Sequence, residues 1–302
     1  MYYDNNTIIY LNGQWQLAKD TRTGLYQQSF HYGNGVFEGI RAYTTVQGTK
    51  ILRAHEHFER LLYSARTMHI DVELSVDELI ELSYQLLEKN NLQDAYIRPL
   101  IYTDEKLGLQ AESQSNVFLC AWDWSQYFAA GQLNMKVSPY CRPDPRSCHV
   151  DAKVSGHYVN SILAMKDAQV HGFDDGLLLD QHGFVAEASG ANFFLQKGGV
   201  LFTPPKGNIL PGITRSIVME LAAANGIEVR EELFKPDEIF GAEGAFLTGT
   251  AVEVQAIGSV NKRSFSLPWE DTYGALLQQQ FHQKVREQKV TFKKVKAAWW
   301  RH

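Results

Sequence analysis

The chain has few cysteines: Cys120, Cys141 and Cys148 are the only three in 302 residues. Their odd number and irregular spacing exclude a disulfide scaffold and fit a reducing cytoplasm. Cys141, Cys148 and His149 do not make a metal site either, because no second ligand pair is spaced to close a tetrahedron. No window approaches the apolar length of a membrane span. The opening Met1-Tyr-Tyr-Asp-Asn-Asn6 has no cationic segment leading into an apolar run, so no signal peptide is expected. The Asn5-Asn6-Thr7 sequon therefore has no secretory route to use. Charge of one sign is also lacking, since 29 basic residues face 34 acidic ones for a net charge of -5. Without a basic stripe there is no nucleic-acid surface to expect. The single basic cluster, Lys289 and Lys293 to Arg301, reads as the solvated end of a C-terminal helix, where cations are favoured. No internal repeat is visible.

What is present is ordinary for a globular protein: 44% hydrophobic and 21% charged residues. The length allows two domains or one large one. Residues 7 to 18 read as a hairpin around Asn12-Gly13, a type I′ turn signal. His31-Tyr-Gly-Asn-Gly-Val-Phe-Glu-Gly-Ile-Arg-Ala-Tyr43 has the wrong glycine spacing for a dinucleotide fold and reads as a strand carrying aromatic and Arg side chains to a pocket wall. Helices are expected from His55 to Met68 and from Ser75, where Glu78 completes a capping box. Strands follow at Ala95 to Tyr102, with Pro99 predicting an edge or a bulge, and at Asn116 to Trp122. The stretch 124–133 is the expected linker between a smaller domain (1–123) and a larger one (134–302). In the second half, short strands at 135–138, 176–180, 184–187, 192–196, 200–203, 228–231 and 245–248 are interleaved with helices at 158–170, 210–224 and 270–289. Strands in blocks, not strictly alternating with helices, make the class α+β.

Four small-residue stretches carry the chemistry. In Asp151-Ala-Lys-Val-Ser-Gly-His-Tyr158, Lys153 lies between Ala152 and Val154 beside a Ser-Gly step that lets another backbone or a flat ligand come close. Glu187-Ala-Ser-Gly-Ala-Asn192 sets a carboxylate among side chains too small to cover it. Leu210-Pro-Gly-Ile-Thr-Arg215 opens a helix, whose free N–H groups and partial positive charge suit a phosphate. Thr248-Gly-Thr-Ala-Val-Glu253 is a hydroxyl-bearing turn able to offer N–H groups to an anion. Each has a plain structural reading alone: most lysines are solvated, and Pro-Gly often merely starts a helix. A carbonyl cofactor of the pyridoxal phosphate kind needs a lysine amine, an acid for its ring nitrogen and a phosphate cradle, and these stretches supply all three.

Taken together, these stretches closely resemble the class IV (fold type IV) pyridoxal phosphate aminotransferases. Tyr32, Phe37-Glu-Gly39-Ile-Arg41 and Tyr96-Ile-Arg98-Pro resemble the branched-chain amino acid aminotransferases within that class. The resemblance spans residues 7 to 285. It implies two α/β domains with pyridoxal 5′-phosphate at their interface, a homodimer or higher homo-oligomer, and amino-group exchange between Leu, Ile or Val and 2-oxoglutarate. Residue by residue, it implies that Lys153 holds the cofactor as a Schiff base and shuttles the proton. Glu187 faces the ring nitrogen and Tyr158 the phenolate oxygen. Arg60, Ile213, Thr214 and Thr250 hold the phosphate. Tyr96 with the Thr250-Ala251 turn takes the α-carboxylate. Tyr32, Phe37, Gly39, Arg41, Trp124 and Tyr127 wall the side-chain pocket, with Leu107 and Leu109 from a partner subunit, and Arg98 takes the γ-carboxylate of glutamate. The chain departs from many relatives at Val154, His157 and Ala191. A D-amino acid aminotransferase or an aminodeoxychorismate lyase of the same fold would share Lys153, Glu187 and the cradle. Tyr96-Ile-Arg98 favours the L-specific arrangement.

Overall fold

The computed structural model describes residues 2–105, 107–110, 115–124 and 131–286; Tyr127, most of the expected linker and the basic tail lie outside them. The chain forms two compact units, and the short segment Ala152–His157 clusters with the N-terminal one.

The first unit contains β1 (Ile8–Leu11), β2 (Gln14–Leu17), α1 (Gln28–Tyr32), β3 (Gly35–Phe37), β4 (Ile40–Thr45), β5 (Gly48–Ile51), α2 (Ala54–Thr67), α3 (Val76–Lys89), β6 (Ala95–Thr103) and β7 (Ser115–Asp123). Asn12 and Gly13 both take positive φ (48° and 83°), as the type I′ turn requires. Ser75 accepts from the Glu78 N–H while the Glu78 side chain accepts from the Ser75 N–H, so the expected capping box starts α3. The strands order as β2-β1-β7-β6-β4-β5, with β3 also on β6.

Strand alternation gives this sheet two chemically different faces. Ala95, Ile97 and Ile101 of β6 and Val117, Leu119 and Ala121 of β7 join Phe58, Leu61, Leu79 and Leu86 of the two helices in one buried core. The opposite face of β6 and β7 carries Tyr96, Arg98 and Trp122. Pro99 corrects the expectation of an edge strand, because β6 is paired on both sides. Proline is tolerated there because the partner changes at that point from β4 to β3, across the break at Glu38-Gly39.

The second unit contains β8 (Leu133–Cys141), α4 (Tyr158–Val170), β9 (Asp175–Leu179), β10 (Val185–Ala188), β11 (Asn192–Lys197), β12 (Val200–Thr203), α5 (Ile213–Ala224), β13 (Val229–Glu231), α6 (Pro236–Ile239), β14 (Gly244–Gly249), β15 (Glu253–Val260), β16 (Arg263–Ser264) and α7 (Tyr273–Arg286). Its strands run β10-β9-β8-β15-β14-β11-β12-β13. A further pairing of Glu187 with Asn192 joins β10 to β11, closing six strands into a circuit. Helices and strands are mixed in blocks, so the fold is α+β. Strand β15 and the short α1 and α6 were not expected. The last helix begins at Tyr273 because a 3-10 turn, Trp269–Asp271, precedes it.

Candidate active site

Lys153 is held by its backbone. Its carbonyl accepts from the Phe37 N–H at 3.1 Å and its N–H donates to Ser64 Oγ at 2.9 Å. Ala152 and Val154 on either side are buried in the first unit's core, and Val154 bridges Val36. The close backbone expected at the Ser-Gly step is Gly33, whose carbonyl accepts from the Gly156 N–H at 3.1 Å. A Cβ on Gly33 would lie 2.7 Å from Gly156 Cα, and φ there is +71°. Two facing glycines are thus what lets the lysine segment dock. The half-buried Lys153 side chain passes over the Phe37 ring, with Nζ 5.1 Å from its centroid.

The Arg98 guanidinium lies over the same ring at 4.8 Å and near Tyr96 at 5.4 Å and Trp122 at 5.9 Å. Its Nη2 reaches Tyr96 Oη at 3.4 Å, its Nε is buried without an acceptor, and no carboxylate among the described residues pairs with it. Trp122 Nε1 is likewise buried without a partner. Tyr96 stacks on Trp122 at 5.0 Å and packs on Trp124 at 4.6 Å, and Arg41 lies over Trp124 at 5.9 Å. Gly39 makes room for this cluster, because a Cβ there would meet Tyr96 Oη at 1.8 Å. The first unit therefore brings Phe37, Gly39, Arg41, Tyr96, Arg98, Trp124 and Lys153 to one sheet face. Tyr32 is half-exposed and donates to the Leu107 carbonyl at 3.3 Å, and Leu109 is 83% exposed.

Arg60 is engaged by a residue that sequence reasoning passed over. Its Nε and Nη2 grip Glu38 Oε1 and Oε2 at 2.5 and 2.9 Å, and His57 Nδ1 lies 2.9 Å from Oε2. All three side chains are at most 3% exposed. Burial pushes the Glu38 carboxyl up, but the charges of Arg60 and His57 and their hydrogen bonds outweigh it and hold the group well below the usual range. Burial pushes His57 down, and Arg60 and Lys153 add to that effect against Glu38. The imidazole Nδ1 and the Glu38 carboxylate thus face each other in one buried contact with Arg60. The signal in the sequence was an acid inside an apolar strand run, Val36-Phe-Glu-Gly-Ile40.

In the second unit, Glu187 sits in the wall of the closed strand circuit, 5% exposed. Its carboxylate accepts from Asn192 Nδ2 at 2.9 Å and from the Leu210 N–H at 3.2 Å, and Arg142 Nε lies 3.0 Å from Oε1. Asn192 also donates to the Leu210 carbonyl at 3.0 Å. Acid and helix entry are therefore tied by one amide side chain. Gly212 caps α5 without a side chain, and a Cβ there would strike Asn192 Oδ1 at 1.8 Å. Ile213 and Thr214 are buried at a helix start with no side-chain cap, so the first N–H groups are available to an anion. Thr248 Oγ1 is buried without a partner two residues before Thr250, in the turn between β14 and β15. Tyr158 is the first residue of α4. Arg142 and Asn192 are the residues missed in this unit: the acid's cationic neighbour lies in an unremarkable proline loop, 45 positions away.

An uncapped buried helix start, a nearly buried acid and a pinned lysine match what pyridoxal phosphate demands of a protein. Residues 35–260 match the family described as amino-transferase class IV. The branched-chain-amino-acid aminotransferase of Pseudomonas aeruginosa is 39% identical over 266 residues, covering 86% of this chain and 87% of that protein. Among solved structures, the Escherichia coli branched-chain amino acid aminotransferase has a TM-score of 0.89 at 34% identity, over 93% of this chain and 95% of that one. The branched-chain amino acid aminotransferase of Thermobaculum terrenum in its PLP (holo) form has a TM-score of 0.88 at 27% identity, over 94% and 95%. A family match across most of the chain, together with a relative well above 30% identity over most of its length, makes this chain a member of the class IV aminotransferases.

Proposed function

We propose that this protein transfers the amino group of branched-chain L-amino acids (Leu, Ile, Val) to 2-oxoglutarate, with pyridoxal 5′-phosphate as cofactor. The observation that carries the reading is the aromatic, cationic sheet face of the first unit. There the Lys153 amine and the Arg98 guanidinium lie over one ring, that of Phe37. When bound, the cofactor supplies an electron-accepting ring and the carbonyl that takes the amino group.

The chain's own residues divide the remaining work. Lys153 would hold the cofactor, and its amine would be the group that moves a proton at the substrate Cα. Glu187, an acceptor of several hydrogen bonds, keeps a proton on the ring nitrogen. Tyr158 donates to the cofactor's phenolate oxygen. Ile213, Thr214, Thr250 and Arg60 bind the phosphate, the helix start contributing its free N–H groups. Tyr96 and the Thr250-Ala251 turn orient the α-carboxylate. Phe37, Tyr32, Trp124, Gly39 and Arg41 form the wall that accepts aliphatic side chains, and Leu107 and Leu109 are what a second subunit would add in a homodimer.

One pocket must take both an aliphatic chain and the γ-carboxylate of glutamate. Arg98, stacked on aromatic rings with an unused Nε, serves the carboxylate, while the ring faces serve Leu, Ile and Val. Selection among those three is modest, since a methylene is worth only ~1–3 kcal/mol. The three free thiols support a cytoplasmic location.

A visible spectrum of purified protein with and without L-leucine tests the reading. A cofactor band that collapses with L-leucine and not with D-leucine is expected, returning on addition of 2-oxoglutarate. A colourless protein that borohydride leaves unmodified would overturn it.

A further inference from the structure

Four of the hydrogen-bonded contacts around Lys153 and Arg60 close into a ring. The Phe37 N–H donates to the Lys153 carbonyl at 3.1 Å, and the Lys153 N–H donates to Ser64 Oγ at 2.9 Å. The Ser64 hydroxyl donates in turn to the Arg60 carbonyl at 2.8 Å. The Arg60 guanidinium grips Glu38, whose peptide bond leads back to Phe37. Ser64 and Glu38 are both 0% exposed. Nothing in the architecture of the sheet requires this. Phe58, Leu61 and Ala65 of the same helix as Ser64 are all core residues, so an apolar residue could stand at a buried position there, and burying an anion is costly unless it is fully partnered.

We infer that Ser64 and Glu38 are positioning residues for the two groups that grasp the cofactor, Ser64 fixing the backbone of Lys153 and Glu38 fixing the guanidinium of Arg60. The inference rests on the proposed pyridoxal phosphate chemistry and extends it to residues that touch neither cofactor nor substrate. Glu38 grips one edge of the guanidinium, Nε and Nη2, and so fixes the plane and direction of the fork. Ser64 holds the Lys153 amide, and Phe37 holds the carbonyl of the same residue. The amine therefore swings from a fixed Cα when it releases and recaptures the cofactor. His57 Nδ1, 2.9 Å from Glu38 Oε2, and the Gly39 N–H, which donates to the same oxygen at 3.2 Å, hold the carboxylate from its other side.

The two halves of the ring have separable readouts, because one serves the phosphate and the other the amine. Pyridoxine 5′-phosphate, which has the phosphate but no aldehyde, probes Arg60; pyridoxal, which has the aldehyde but no phosphate, probes Lys153. Apoprotein is prepared for wild type, E38Q, S64A, R60Q and the double variant E38Q/R60Q. Binding of pyridoxine 5′-phosphate is followed by calorimetry, and capture of pyridoxal by the visible band and by the mass of the borohydride-fixed adduct at Lys153. A hydrogen bond to a charged group sets the scale, so E38Q should weaken pyridoxine phosphate by about tenfold or more while changing pyridoxal capture little. S64A should do the reverse, slowing pyridoxal capture by about fivefold or more with the phosphate probe nearly unaffected. In the R60Q background, adding E38Q should change nothing further for the phosphate probe, and this arm stands even if E38Q alone folds poorly. Equal effects of each variant on both probes, or an additive loss in E38Q/R60Q, would overturn the positioning roles. Wild-type protein that captures neither pyridoxal nor pyridoxal phosphate would instead overturn the cofactor reading beneath them.

Discussion

Replacing Arg98 with methionine separates the two substrates that share the pocket. Methionine keeps an unbranched, flexible body against Phe37, Tyr96 and Trp122, which surround the guanidinium carbon at 4.8, 5.4 and 5.9 Å. What it removes is a cation with a buried, unused Nε and no carboxylate partner among the described residues. A charge-assisted bond to a substrate carboxylate contributes ~1.5–3 kcal/mol, which is roughly 10- to 150-fold in rate at 1.36 kcal/mol per decade. Leucine makes no such bond, and any loosening of the aromatic wall affects both substrates alike and cancels in their ratio. The expected outcome is thus a fall of about 10- to 150-fold in the glutamate half-reaction relative to the leucine half-reaction. Single-turnover stopped-flow traces with L-glutamate and with L-leucine measure it directly. Since Nη2 also reaches Tyr96 Oη at 3.4 Å, Y96F is run alongside to show that the ratio does not move through that phenol. A ratio for R98M within about twofold of wild type, the ordinary scatter of independent effects, would refute the assignment of Arg98 to the γ-carboxylate.

Gly39→Ala should disturb the same face by steric means. Its Cβ would fall 1.8 Å from Tyr96 Oη, so the phenol must move, and overpacking of this kind costs ~1–3 kcal/mol; urea unfolding and the KM for leucine report it. Asp175 offers a pH test, because burial pushes its carboxyl up to about 6 against hydrogen bonds from Ser189 and Gly176. The folded chain then binds the proton more tightly than the unfolded one, so this contribution to stability is complete below about pH 4 and is lost as pH rises through 6. Raising a carboxyl from its ordinary value of about 4 to about 6 corresponds to at most ~3 kcal/mol. Asp175→Asn should therefore gain stability over wild type at pH 8 but not at pH 4, and a pH-independent difference would count against it. Cys120, half-buried and pushed up to about 12 by desolvation, should resist thiol reagents at pH 8, while the exposed Cys141 reacts first. Peptide mass mapping after brief modification decides between them.

The features that were legible in the sequence are those in which a few neighbouring residues settle the backbone among themselves. Asn12-Gly13 can take positive φ at both positions, and Ser75 and Glu78 satisfy each other's N–H groups. The candidate site was legible for a related reason: Lys153, Glu187, Gly212 and Thr250 stand in short runs of small residues whose local shape announces close approach. What escaped was every feature defined by a partner far along the chain. Pro99 was read as marking an edge or a bulge because a proline weakens its own ladder; its tolerance in a strand paired on both sides depends on the break at Glu38-Gly39, some 60 positions earlier. Glu38 looks like a misplaced charge until Arg60 and His57 arrive from a helix about 20 residues on. Arg142 and Asn192 become meaningful only when β10 and β11 pair and set Glu187 beside them. The groups proposed to perform chemistry were thus readable from local composition, whereas the groups proposed to aim them are products of the tertiary fold. Substitutions at the second kind of residue should change affinities and rates by graded amounts, and those at Lys153 should abolish them.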